Sequence, residues 1–164
     1  MTVGFSSRTP QQAMAALLDL YAPRRLLLIG ARFPALEAFI AAHPDAEVAV
    51  AEPGPLPSAL AAQRFDLALA VGCLEQLSKR SGLELLGGIR NLNASRIAVL
   101  ADLNACGWSD TDFYSLALQA SERFKRDEQE LSLFTYDLRE YKQVPDWLNA
   151  KFWANPQNFG KYWW

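Results

Sequence analysis

Four short apolar runs constrain the fold of this chain more than anything else in it. The most informative is Phe65–Val71, FDLALAV, which ends at Gly72 and passes into CLEQL. Arg25–Ile29 (RLLLI), Glu47–Ala51 (EVAVA) and Arg96–Leu103 (RIAVLADL) are its companions. A strand that is apolar on both sides has both faces buried, as in the middle of a parallel sheet, and Arg25–Ile29 and Phe65–Val71 predict such strands, with Glu47–Ala51 and Arg96–Leu103 predicting the other two.

The segments between the runs read as helices. Thr9-Pro10-Gln11-Gln12 carries a capping threonine, a proline in the first turn and a glutamine that can reach back, followed by Met14, Leu17, Leu18 and Tyr21 on one face. Pro34–Ala42 predicts a second helix with Leu36, Phe39 and Ile40 inward, and Pro44 biases His43 out of helical geometry. After the rigid turn Pro53–Pro57, Ser58–Gln63 has room for two helical turns at most. Ser81 and Glu84 form a capping-box pattern ahead of Leu85, Leu86, Ile89 and Leu92, a stripe weakened by Gly87-Gly88. Ser109 can cap a further helix with Phe113, Leu116 and Ala120 inward. Phe124–Asp137 holds two segments of strand character around a charged link, the second being Leu131–Tyr136, and predicts an antiparallel pair at the sheet edge.

Strands alternating with helices require right-handed crossovers and a mostly parallel sheet covered on both faces, a reduced Rossmann-like α/β fold. At 164 residues the chain suits one domain, with an α/β body over 1–138 and an aromatic C-terminal segment over 139–164. A net charge of −2 and a pI near 5.4 give no basic footprint, so nucleic acid is not the expected partner. Neither a secretory signal nor an apolar run of membrane-spanning length is evident, and Cys73 and Cys106 read as thiols in a reducing compartment. The expectation is a cytoplasmic protein without a metal or membrane site, in which the sequon Asn93-Ala94-Ser95 is a chance match.

Ligands of open α/β sheets sit at the carboxyl ends of the strands, where strand order reverses. Here those ends carry Gly30, Glu52, Gly72 with Cys73, and Asp102 with Asn104. Glu75 follows Gly72 closely and has the chemistry of a general base. Cys73 lacks a base to activate it, because the single histidine, His43, belongs to another helix.

From Arg25 to about Asp102 the order RLLLIG, AVAE, FDLALAVGCLEQL resembles the class I S-adenosylmethionine-dependent methyltransferases. That resemblance implies a methyltransferase-like fold. It also implies that Gly30 lies at the turn approaching the cofactor's amino acid part, Glu52 at the ribose, and Gly72, Cys73 and Glu75 beside cofactor and substrate, with Gln76 where the family often has histidine. The chain departs from the family in two places. After Gly30 it reads Ala31-Arg32-Phe33-Pro34 with no further glycine, and only 12 residues separate Glu52 from Phe65, where the family has a helix and strand that help hold the adenine. The whole sequence also resembles a small uncharacterised bacterial family of domains of unknown function.

The segment after Leu138 holds 8 of the 19 aromatic residues in 26 positions, including four of the five tryptophans. Such side chains serve either as a strap over the domain or as anchors for another protein, centred on Trp147, Trp153, Trp163 and Trp164. The functional expectation is a non-catalytic methyltransferase-like protein that acts through protein contacts, with no cofactor expected. The alternative is a methyltransferase that uses S-adenosylmethionine on a small molecule.

Overall fold

A computed structural model describes residues 5–126 and 129–138. The elements run α1 Pro10–Tyr21, β1 Arg25–Gly30, α2 Pro34–Ala42, β2 Glu47–Ala51, α3 Ser58–Ala61, β3 Leu67–Val71, α4 Lys79–Gly88, β4 Arg96–Ala101, α5 Leu103–Cys106, α6 Asp110–Ser115, β5 Gln119–Arg126 and β6 Gln129–Asp137. A 3-10 turn, Leu74–Gln76, precedes α4, and a π-helical turn, Ile89–Asn93, follows it.

The six strands form one sheet in the order β2-β1-β3-β4-β6-β5. β2, β1, β3 and β4 are mutually parallel, with Leu28 opposite both Val50 and Leu69, and Ala70 opposite Val99. β6 runs antiparallel between β4 and β5. The expected antiparallel pair therefore exists and closes one edge of a mostly parallel sheet.

Successive strand residues point to opposite faces, and this alternation divides the core in two. Leu26, Leu28, Leu67, Leu69, Ala98 and Leu100 pack beneath α1 and α2, with Met14, Leu18, Leu36 and Phe39. Leu27, Ile29, Ala68, Ala70, Ile97 and Val99 face the other way, onto α4 and α6 with Leu86, Ile89, Trp108 and Phe113. Helices therefore cover both faces, as the unbroken apolar runs require. Phe113 stacks on Phe134 of β6 with ring centroids 3.8 Å apart, tying the hairpin to that second layer.

α1 starts as its sequence dictates: Thr9 accepts the Gln12 N–H, and the Gln12 side chain accepts the Thr9 N–H. α4 departs from expectation. Ser78, not Ser81, caps it by accepting the Ser81 N–H, and Ser81 lies inside the helix. Its end differs too, because the π-helical turn advances less per residue than an α-helix and rotates Leu92 away from the core, leaving it 66% exposed. β4 stops at Ala101 rather than Leu103, since Asp102 caps α5 through the Asn104 and Ala105 N–H groups. Ala120, expected on a helix, belongs to β5.

Asn93 is buried, and its side-chain amide donates to the Ala61 and Gln63 carbonyls at 2.9 and 2.8 Å. The sequon nitrogen is thus enclosed and engaged within the fold. Among the described residues no helix is long and apolar enough to cross a membrane.

Candidate functional site

Strand order reverses at β1, which has β2 on one side and β3 on the other. The cleft beside this switch point lies at the carboxyl ends of β3 and β4. It has a volume of about 480 Å³ and is walled by Val71, Gly72, Glu75, Leu100 and Asp102. Thr9, Pro10 and Gln11 at the start of α1 close one side, and Ala105 and Leu131 another.

Glu75 is the chemically distinctive wall residue. Its Oε1 accepts the Asp102 N–H at 3.0 Å, while the Asp102 Oδ1 is engaged in capping α5. Burial pushes the Glu75 carboxyl above its ordinary range. The Asp102 N–H opposes that rise, and the nearby Asp102 carboxylate adds to it. A carboxyl in this state can exchange a proton closer to neutral pH than a solvated one. Gly72 shapes the turn that leads to it: its φ of +64°, a backbone conformation that favours glycine, turns the chain sharply after β3.

The structure brings Gly72, Glu75 and Asp102 together on this cleft and leaves the other sequence candidates outside its walls. Glu52 is exposed at the end of β2, ahead of the Pro53-Gly54 turn. Asn104 is exposed on α5. Cys73 is 1% exposed within the second core layer, and burial together with the Glu75 charge pushes its thiol up to about 12. That thiol is a core group, with no thiolate at neutral pH to act as nucleophile. Gln76 turns its side chain back to donate to the Gly72 carbonyl at 3.0 Å, which closes the turn. His43 stacks on Phe39 at the end of α2, with ring centroids 4.3 Å apart.

Gly30 has a φ of +124°, and a Cβ there would lie 2.2 Å from the Val71 carbonyl oxygen. The glycine is therefore required by the neighbouring strand. Beyond it Phe33 folds into the first core layer, 6% exposed. The Ala35 N–H, one of the free donors at the start of α2, is taken by Gln11 Oε1 at 3.1 Å. Between β2 and β3 the chain makes only the single turn α3, with no additional strand. The three places assigned by resemblance to the cofactor's amino acid, ribose and adenine parts are thus respectively filled by the chain's own side chains, left at an exposed strand end, and replaced by a short turn. These three places differ from the arrangement that the resemblance implies.

Sequence reasoning missed Thr9, Pro10, Gln11, Ala105 and Leu131 as walls of the cleft. The capping pattern already accounted for Thr9 and Pro10, and nothing local places α1 beside the end of β4. Asp102 could be read from its position at a strand end. Trp147, Trp153, Trp163 and Trp164 lie outside the described residues.

Solved structures share this architecture. The N-terminal domain of EvdMO1, determined with SAH bound, matches with a TM-score of 0.51 at 13% identity, over 80% of this chain and 82% of that one. A protein from Nostoc punctiforme PCC 73102 assigned as an O-methyltransferase matches with a TM-score of 0.50 at 16% identity, over 77% of this chain. The present chain spans only 55% of the length of that Nostoc protein. At these identities the likeness is one of fold, and the fold is methyltransferase-like. No protein of curated function matches the sequence. A family profile matches residues 8–164, and by that span the chain belongs to the Family of unknown function (DUF6231).

Proposed function

We propose that this protein has kept the methyltransferase-like sheet without a seat for S-adenosylmethionine, and that it works through contacts with other proteins. The observation that carries the reading is the occupied start of α2: Gln11 takes the Ala35 N–H and Phe33 fills the adjoining space from within the core. A helix start offers an anionic group its free N–H donors, and here the chain supplies its own acceptor. The short passage between β2 and β3 supports the same reading. Contact residues on this view are Trp147, Trp153, Trp163 and Trp164, large side chains of the kind that dominate protein interfaces.

The cleft favours a second reading, a methyltransferase acting on a small molecule. A volume of about 480 Å³ beside a strand-order reversal suits a small ligand, and Glu75 is placed to take a proton from a substrate hydroxyl. Gly30 and Glu52 would then stand on the cofactor side, with Gly72, Cys73 and Glu75 nearer the substrate.

Calorimetric titration of the full chain with S-adenosylmethionine and with S-adenosylhomocysteine separates the two. The first reading expects no saturable heat, with any Kd weaker than about 1 mM. Micromolar binding that is lost in Glu52→Ala would overturn it in favour of the second.

A further inference from the structure

The end of the sheet opposite the cleft carries positive charge without a partner. Between residues 5 and 125 every lysine and arginine pairs with a carboxylate of the described residues except Arg24, Arg64 and Arg90. All three stand at the amino ends of the parallel strands: Arg24 before β1, Arg64 before β3, and Arg90 in the π-helical turn that leads into β4. The six residues of β4 separate this end from the cleft by about 20 Å. Arg64 and Arg90 line a chamber there of about 290 Å³. The Arg64 carbonyl accepts the Arg25 guanidinium at 2.8 Å, which holds its backbone, and the Arg90 Nε donates to the Asn91 Oδ1 at 3.2 Å. Asp66 is the one carboxylate among the chamber's described walls, and its Oδ2 already accepts the Arg24 and Arg25 N–H groups at 2.9 and 3.0 Å. A second chamber, of about 250 Å³, is apolar, with Pro55, Leu56, Leu85 and Ile89 among its walls, and Glu84 on it is paired with Arg80. Leu92 and Asn93 line both chambers and join them.

Asn93 places an unmatched acceptor at that junction. The residue is 5% exposed, and its Nδ2 donates to the Ala61 and Gln63 carbonyls, which fixes the side of the amide on which the oxygen stands. The Oδ1 has no donor among the described residues. The orphaned polar atoms sealed inside the described fold are Trp108 Nε1 and Asp110 Oδ1, so Asn93 Oδ1 remains reachable, and the two chambers are the space it lines. An acceptor left unmatched in so buried a residue costs free energy that a ligand's donor would recover. We infer that this groove binds a small organic anion: a carboxylate or phosphate head between Arg64 and Arg90, an N–H or O–H group on Asn93 Oδ1, and an apolar body over Leu92 in the second chamber. Guanidinium groups match the planar geometry of such heads. The joined chambers fall in the range of small-molecule sites, roughly 300–1,000 Å³. This site is separate from the cleft, and the inference stands whether or not the cleft binds a cofactor.

The test is calorimetric titration of the full chain with probes that share an octanoyl chain. N-octanoylglycine, or its phosphate counterpart O-phospho-N-octanoylethanolamine, should saturate with a Kd of about 100 µM or tighter, and the tighter of the two names the head. N-octanoylethanolamine, whose head is neutral, should bind at least about tenfold more weakly. N-octanoylsarcosine, which lacks the N–H, should bind about fivefold more weakly than N-octanoylglycine. The double variant Arg64→Gln with Arg90→Gln should lose about tenfold in affinity for the anions. Leu92→Asp, at a residue 66% exposed, should abolish binding. Arg32→Gln, which removes the same charge from the other end of the sheet, should leave it unchanged. On titration the NMR signals of the Leu92 and Asn93 amides should move, and those of Gly72 and Glu75 should not. No saturable binding of either anion, a control probe bound as tightly as the anions, or affinity unchanged in both groove variants overturns the inference. Signal changes centred on Gly72 and Glu75 also overturn it and assign the ligand to the cleft.

Discussion

Burial raises the Glu75 carboxyl most, while Asp102 pulls it both ways, its N–H lowering and its carboxylate raising it. A carboxyl raised in the folded state binds its proton more tightly there than in the unfolded chain. Its contribution to stability is present below the unfolded value and is lost as pH rises through the folded one. Near neutral pH the ionised Glu75 is therefore a cost, and Glu75→Gln should raise the melting temperature at pH 7, because the amide oxygen can still accept the Asp102 N–H. The gain should shrink as pH falls well below the usual carboxylate range, where both chains are uncharged at this position. Melting curves across that interval check this, and a difference that stays constant with pH would sink the idea. Glu75 and Asp102 were legible in the sequence because Asp102 directly follows a buried strand and Glu75 lies just past the glycine turn that ends another. Gln11 was not, since its role depends on α1 lying across the start of α2, a contact between segments 24 residues apart.

At the scale of elements, the seam between β1 and β3 depends on Gly30. Backbone strain at positive φ and the collision with the Val71 carbonyl act together in Gly30→Ala, with an expected cost of about 3 kcal/mol or more. Urea unfolding should show a lowered midpoint, and an unchanged midpoint would mean that the seam opens freely. The same glycine had suggested a cofactor turn, since turn and close strand approach call for the same residue. Regular elements with local signals were readable to the residue: α2 runs Pro34–Ala42 as its proline and apolar spacing predict. α4 was misread at both ends. Ser78 and Ser81 are each able to cap, and only the backbone decides that Ser78 stands outside the helix with ψ of 153°. The shift to a π-helical turn at Ile89 breaks the 3.6-residue period on which an inward Leu92 relied.

For the molecule as a whole, strands alternating with helices implied a sheet covered on both faces, and one core layer on each side of it is what the chain builds, with β2 at the edge only partly buried. Strand order was less legible, because apolar patterning says that a strand is buried and not which strand lies beside it. Hydrogen exchange should follow that order. Amides of β1, β3 and β4, flanked on both sides, are expected to exchange slowest, and those of the edge strand β2 at least about tenfold faster. Equal rates across the sheet would show that it opens only as a unit. The position of β6 has a further consequence during synthesis. β6 follows every other described strand in the chain, yet it lies inside the sheet, and among the described strands β5 pairs with β6 alone. A nascent chain that has emerged as far as Arg126 can assemble four parallel strands, while β5 has only its bridge to Phe5 until Asp137 has left the ribosome.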